Sequence, residues 1–263
     1  MFRSHHLGSL LGFPIRINTS FLLALGFILF FSGGSAGLAV ALTVAASIVV
    51  HELGHAVVAR RLGVPIAGIE LHFFGGAAQM AGSPRTPNDE IAIAAAGPAV
   101  SFALAGLGLG ASVLFGSPAL GMFAFINVVL GAFNLLPAFP SDGGRILRAL
   151  LARRYGLVGA TERAVKVARF VCIDLGVLGL AQGSFQLVLL ALVLWSMGSA
   201  ERRAAQRRGD EGAWGGDAPR PLADVEYFPP GAPATSPHAP GARGPAATRS
   251  AGPGRNVVFV WRL

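Results

Sequence analysis

Apolar residues in the first 200 positions fall into six long runs, at 17–31, 36–59, 91–115, 119–136, 167–182 and 185–199. A bilayer core takes about 20 apolar residues per helix, so the pattern predicts about six membrane-spanning helices, the first and the last two of them short. The links at 32–35, 116–118 and 183–184 are short and uncharged. The other links and ends carry Arg3 and Arg16, then Arg60, Arg61 and Arg85, then Arg145, Arg148, Arg153, Arg154 and Arg163, and last Arg202, Arg203, Arg207 and Arg208. If the spans alternate in direction, every basic cluster lies on one side. The positive-inside rule makes that side the cytoplasm and puts both termini there. The first run also has the basic start and small-residue stretch (33–36) of a cleaved signal peptide. A retained helix paired with the second run is the preferred reading.

Two segments depart from the helical pattern. Between the second and third runs, residues 65–80 alternate loosely and are rich in Ile, Leu and Phe, with Phe73-Phe74-Gly75-Gly76 in the middle; this predicts short strands about a Gly turn. Such strands cannot face lipid with unpaired backbone groups, so they must pack on protein or line a wet cavity. Ser83-Pro84-Arg85-Thr86-Pro87-Asn88 reads as a loop that ends in a helix cap at Asn88. From Ala204 onward the chain is rich in Gly, Pro, Ala and Arg, and nine of its 17 prolines lie between Pro219 and Pro253. That composition predicts a disordered cytoplasmic tail over 204–263, after a transmembrane domain over 1–203. The terminal apolar stretch 257–263 is expected to be mobile. The fold class expected is thus an all-α polytopic membrane protein with a small membrane-associated β segment after helix 2.

Composition supports this division. Only 13% of the 263 residues are charged, against about 25% in a soluble domain. The first 200 residues carry 19 charges and the last 63 carry 15. The net charge of +8 would suggest nucleic acid in a soluble protein. Here the arginines flank apolar runs, so topology accounts for them and no nucleic-acid partner is expected. Cys172 lies alone in an apolar stretch and reads as a buried apolar side chain.

The second run contains His51-Glu52-Leu53-Gly54-His55. Residues i and i+4 share a helix face, so the two imidazoles can bind one Zn²⁺ while Glu52 reaches an attacking water. Two histidines and a glutamate are costly inside an apolar span and point to function. A catalytic zinc site needs a third protein ligand, and the candidates are Asp142, Glu70, His72 and Asp174. Asp142 follows Pro137 and Pro140 and precedes Gly143 and Gly144. That is a broken helix, tolerated at membrane depth where it lines protein or a cavity. Glu70 and His72 share one face of the strand-like segment and also read as a polar edge; Asp174 also reads as the partner of Arg169 or Lys166.

These motifs together resemble the site-2 protease family of intramembrane zinc metalloproteases, in its simpler branch without a PDZ or CBS domain. The resemblance covers about residues 8–155. It rests on Gly12-Phe13-Pro14-Ile15-Arg16-Ile17, on His51 to His55, on Phe74-Gly75-Gly76, on Ala96-Gly97-Pro98, and on Asn134-Leu135-Leu136-Pro137-Ala138-Phe139-Pro140-Ser141-Asp142-Gly143-Gly144-Arg145. The resemblance implies His51, His55 and Asp142 as ligands of one Zn²⁺, Glu52 as general base, and Asn134 near the substrate backbone or oxyanion. It implies that 65–80 meets the substrate. Ser141 replaces the family's usual apolar residue, and Ser101 stands where many members carry Asn; neither change removes a ligand.

The expected activity is hydrolysis of peptide bonds within or near a transmembrane segment of a membrane-protein substrate. By analogy, that substrate is a membrane-tethered regulator such as an anti-sigma factor in a bacterial cytoplasmic membrane. The alternative is a non-catalytic zinc-binding membrane scaffold or chaperone, against which Glu52 beside the ligands argues. A zinc transporter would need a polar path, which the outer halves of the runs lack.

Overall fold

Phe13, Ile15 and Ile17 alternate with outward-facing residues, and that period of two makes a strand where the sequence reading had placed the lead-in to a helix. In the computed structural model, which describes residues 4–73 and 75–209, the chain opens with a hairpin of β1 (Ser4–Leu10) and β2 (Phe13–Asn18). Asn18 then caps α1 (Thr19–Ser32), its side chain accepting from Ser20 N–H at 3.0 Å. Gly33, at φ 66°, turns the chain into α2 (Gly34–Arg61). After α2 come β3 (Ile66–His72) and β4 (Gly75–Met80).

The four strands form one sheet in chain order. β1–β2 and β3–β4 are antiparallel, and β2 pairs parallel with β3 through Ile15 and Ile69. The α1–α2 pair is the crossover that a parallel pairing requires. The β segment is therefore twice the size expected, and half of it precedes the first helix. The sheet's inner face supplies Phe13, Ile69 and Leu71 to a core with Phe21 of α1 and Leu53 and Ala56 of α2. Arg60, at the end of α2, donates to the Leu11 carbonyl at 2.9 Å and lies over the Phe13 ring, so the hairpin is tied to the helix that carries the candidate ligands.

The helix α3 (Pro87–Phe115) is capped by Thr86, two residues before the expected cap at Asn88. Thr86 and Asp89 form a reciprocal capping box, and Pro87 takes the first helical position, where its missing N–H costs nothing. The helix α4 (Pro118–Asn134) ends where the prolines predict a break. The segment 135–141 is irregular, and Ser141 caps α5 (Asp142–Ala181), its hydroxyl bonded back to the Leu136 and Ala138 carbonyls. Gly156 interrupts α5 at φ 65° and ψ 175°. The sequence reading began this helix at 167 because a hydropathy window treats the arginines of 145–163 as a loop. α6 (Phe185–Gly209) runs past the boundary expected at 203. The rest of the expected tail, 210–263, lies outside the described residues, as does Phe74. Of these helices, α2 and α3 are long and apolar enough to cross a membrane, while α1 and α4 are shorter apolar helices.

Two of the arginines that read as a link are buried. Arg148 is 1% exposed and pairs with Glu90 on α3 and Glu201 on α6. One guanidinium thus joins three helices, with the Phe139 ring 5.6 Å away. Removing one member of a buried pair strands the other charge, a loss of about 3–5 kcal/mol. Arg148→Met is therefore expected to lower unfolding free energy by about that amount. Glu201→Gln, at a partly exposed partner, should cost well under half as much. Unfolding by SDS titration in mixed micelles measures both, and equal losses would contradict this account.

Candidate metal centre and its buried carboxylates

His51, Glu52 and His55 occupy one buried turn of α2, at 2%, 3% and 1% exposure. The i, i+4 spacing brings the imidazoles together with their Nε2 atoms 3.2 Å apart. The break after α4 then delivers Asp142, 1% exposed, to the same point. Its Oδ2 lies 3.3 Å from His51 Nε2 and 3.2 Å from His55 Nε2. Zinc–ligand bonds of about 2.0–2.1 Å in a tetrahedron place donor atoms about 3.3 Å apart. The three donors have that separation.

The far side of each ring reveals which atoms face inward. His55 Nδ1 lies 2.7 Å from the Ile93 carbonyl, an acceptor only, so Nδ1 carries the proton and Nε2 offers its lone pair. His51 Nδ1 lies 2.9 Å from Ser101 Oγ. Asp142 Oδ1 and Glu52 Oε2 are buried and have no hydrogen-bond partner among the described residues. Two imidazole Nε2 atoms and a carboxylate oxygen, buried and brought together, fit a divalent cation. Two His and one carboxylate, with a fourth position open, is a catalytic zinc donor set.

Neighbouring backbone is shaped to this cluster. Ile93, Gly97 and Ser101 recur every fourth residue and present one stripe of α3 to α2. A Cβ on Gly97 would overlap His55 Nε2 and stand 2.6 Å from His51 Nε2. Gly54 permits the helix approach, since a Cβ there would lie 3.0 Å from the Ala96 carbonyl. On the other side, β4 lies against Glu52: the Ala78 backbone faces its carboxylate, and a Cβ on Gly76 would overlap its Cγ and stand 2.7 Å from Oε1.

The other expected residues are placed elsewhere. Glu70 accepts from Gln79 Nε2 at 2.5 Å and lies 3.7 Å from His72 Nε2, making the polar edge on β3 and β4 that was the alternative reading. Asp174 is exposed on α5 and forms no ion pair among the described residues, so neither expectation for it holds. Asn134, half-buried at the end of α4, donates to its own helix at the Leu130 carbonyl, 3.0 Å away. No hydrogen bond joins it to the four clustered residues. The sequence reading missed Ile93 as part of the site, quoted Gly97 only within the Ala96-Gly97-Pro98 motif, and noted Ser101 only as a departure. The four-residue spacing of these three, equal to that of the two histidines, was the available signal. It also missed Asn127, fully buried on α4, which donates to Ser47 Oγ on α2 at 3.0 Å.

Comparison with known proteins agrees with this architecture. The profile of peptidase family M50 matches residues 39–119 and 115–175, which include all four clustered residues. A zinc metalloprotease of Methanocaldococcus jannaschii is 36% identical over 211 residues, covering 77% of this chain and 62% of that protein. Stage IV sporulation protein FB of Bacillus subtilis is 29% identical over 132 residues, covering 49% and 46%. The matches span between 44% and 62% of the length of the first curated relatives. The solved structure of the site-2 protease from Methanocaldococcus jannaschii superposes with a TM-score of 0.62 at 34% identity, covering 76% of this chain and 96% of that one. On the match of family, fold and donor cluster together, the chain belongs to peptidase family M50, the site-2 protease family.

Proposed function

We propose that the chain is an intramembrane zinc metalloprotease that hydrolyses peptide bonds within or near a transmembrane segment of a membrane-protein substrate. The observation that carries this reading is the convergence of His51 Nε2, His55 Nε2 and Asp142 Oδ2 within 3.3 Å of one another, beside the buried carboxylate of Glu52. In it, His51, His55 and Asp142 hold one Zn²⁺. Bound there, zinc supplies a Lewis acid that polarises the scissile carbonyl and acidifies the attacking water. Glu52 takes the proton of that water through the oxygen that has no hydrogen-bond partner among the described residues, and later delivers it to the leaving amine. The Ala78 backbone and the absence of a side chain at Gly76 set where that carboxylate sits. A scaffold that only held metal would leave this placed carboxylate without a task.

The substrate reading follows from β4. It is an edge strand of the sheet, with no strand paired on its outer side among the described residues, and it runs past Glu52. A helical substrate hides its peptide bonds in i to i−4 hydrogen bonds and must unwind to be cut. Pairing with the β4 edge holds the unwound segment in extended form beside the base. Cleavage is thus expected near helix-destabilising residues. Asn134, at the end of α4, is assigned to contact with substrate backbone. In this reading all six helices span a bacterial cytoplasmic membrane with both termini in the cytoplasm, and the substrate is a membrane-tethered regulator such as an anti-sigma factor.

Three variants test these roles. Glu52→Gln should reduce cleavage of a co-expressed membrane substrate by about 10²- to 10⁴-fold while the purified protein keeps its zinc; persistent cleavage rules out Glu52 as base. Asp142→Ala should lose stoichiometric zinc by elemental analysis, and unchanged zinc would mean another third ligand. Gly76→Ala should retain zinc and lose cleavage, because the atoms nearest the new methyl all belong to the Glu52 side chain, which it displaces. A fully active Gly76→Ala variant would show that β4 does not position the base.

A further inference from the structure

Two histidines converge on the centre, but they are held from behind by different kinds of group. The Nδ1 of His55 meets the main-chain carbonyl of Ile93 at 2.7 Å, a partner that no side-chain substitution removes and that accepts only. The Nδ1 of His51 meets the hydroxyl of Ser101 at 2.9 Å. Ser101 is fully buried on α3, and the four-residue stripe that carries it also carries Ile93 and the side-chain-free position Gly97. A hydroxyl accepts or donates as its rotation allows, so with Ser101 present the tautomer that carries its proton on Nδ1 has an acceptor and costs nothing. With the proton on Nδ1 donated to Ser101 Oγ, His51 Nε2 offers a lone pair to the centre. Without Ser101, that N–H is a buried donor with no acceptor, which is costly. The ring then gains by carrying its proton on Nε2, where Asp142 Oδ2 accepts it at 3.3 Å, and a protonated Nε2 cannot bind a metal.

We infer that Ser101 is a positioning residue that acts through His51: its hydroxyl accepts the Nδ1 proton of the metal-binding tautomer and orients the ring, and among the described residues it is the side chain recorded behind the ligand pair. This rests on the reading of the cluster as a zinc centre. Partners of this kind typically carry about 10- to 100-fold in metal affinity. Ser47 provides the control: it is also a buried hydroxyl, one helical turn before His51 on α2, but its recorded partner is Asn127 and not a ligand.

The test uses the full chain in detergent micelles, stripped of metal and titrated with zinc against a chelator, and with cobalt(II) for its visible ligand-field spectrum. Ser101→Ala is expected to bind zinc about 10- to 100-fold more weakly and to shift the cobalt spectrum, with unfolding of the metal-free protein unchanged. Ser101→Thr, which keeps the hydroxyl, restores both, and Ser47→Ala leaves both at the wild-type value. Zinc affinity of Ser101→Ala within about twofold of wild type overturns the inference while leaving the centre intact. An equal loss in Ser47→Ala also overturns it, because the effect would then belong to buried hydroxyls in general. A wild-type protein that takes up no zinc overturns the reading of the centre and this inference with it.

Discussion

Asp142 Oδ2 lies 3.3 and 3.2 Å from the Nε2 atoms of His51 and His55, and two nitrogens and a carboxylate oxygen held that close in a buried site need a proton or a cation among them. Much of the remaining structure serves to bring these atoms together. The two histidines come from one helical turn, but the carboxylate comes from a segment 91 residues further on. The chain reaches it only because α4 stops at Asn134 and α5 restarts at Asp142. Gly143 and Gly144 fit this restart. A Cβ on Gly143 would overlap the Leu135 and Leu136 carbonyls, and one on Gly144 would lie 2.9 Å from the Ala138 carbonyl. The turn that aims Asp142 leaves no room for side chains at those two positions.

α3 supports the same constraint from the opposite side. Its Ile93 carbonyl and Ser101 hydroxyl meet the two rings from behind, and Gly97 leaves the volume that the rings fill. A helix that offers an acceptor, a gap and a hydroxyl at successive turns restrains both imidazoles without ligating anything itself. Restraint of this kind is what keeps metal sites in one geometry. The buried Arg148, paired to Glu90 near the start of this helix and to Glu201 on α6, fixes α3 against α5 and therefore against Asp142.

The sheet contributes the other half of the chemistry. β1 and β2 are anchored to α2 by Arg60 and by the core of Phe13, Ile69 and Leu71, and β3 hands that anchorage on to β4. The edge strand is then held at a fixed height over Glu52, where Gly76 and the Ala78 backbone define the position of the carboxylate. In the proteolytic reading, one rigid connection sets both where an extended substrate pairs and where the proton is taken.

The sequence by itself determined the elements whose signal is local. The ligand turn was legible because i, i+4 spacing puts His51 and His55 on one face wherever the helix lies. The helix break before Asp142 was legible because proline removes a donor in any context. The helical runs were legible from apolar length. Tertiary structure alone decided what depends on partners distant in the chain. β2 was hidden because its alternation runs straight into an apolar helix, and its strand state becomes evident only through pairing with Ile69. The first half of α5 was hidden because Arg145 and Arg148 look solvated until Glu90 and Glu201 are brought beside Arg148. Ser101 and Gly97 are ordinary residues of an apolar helix, and only packing against α2 gives them rings to hold. Spacing along a chain encodes which side chains share a face, but which faces meet is set by long-range burial, and the contacts of Ile93, Gly97 and Ser101 with the two rings are such meetings.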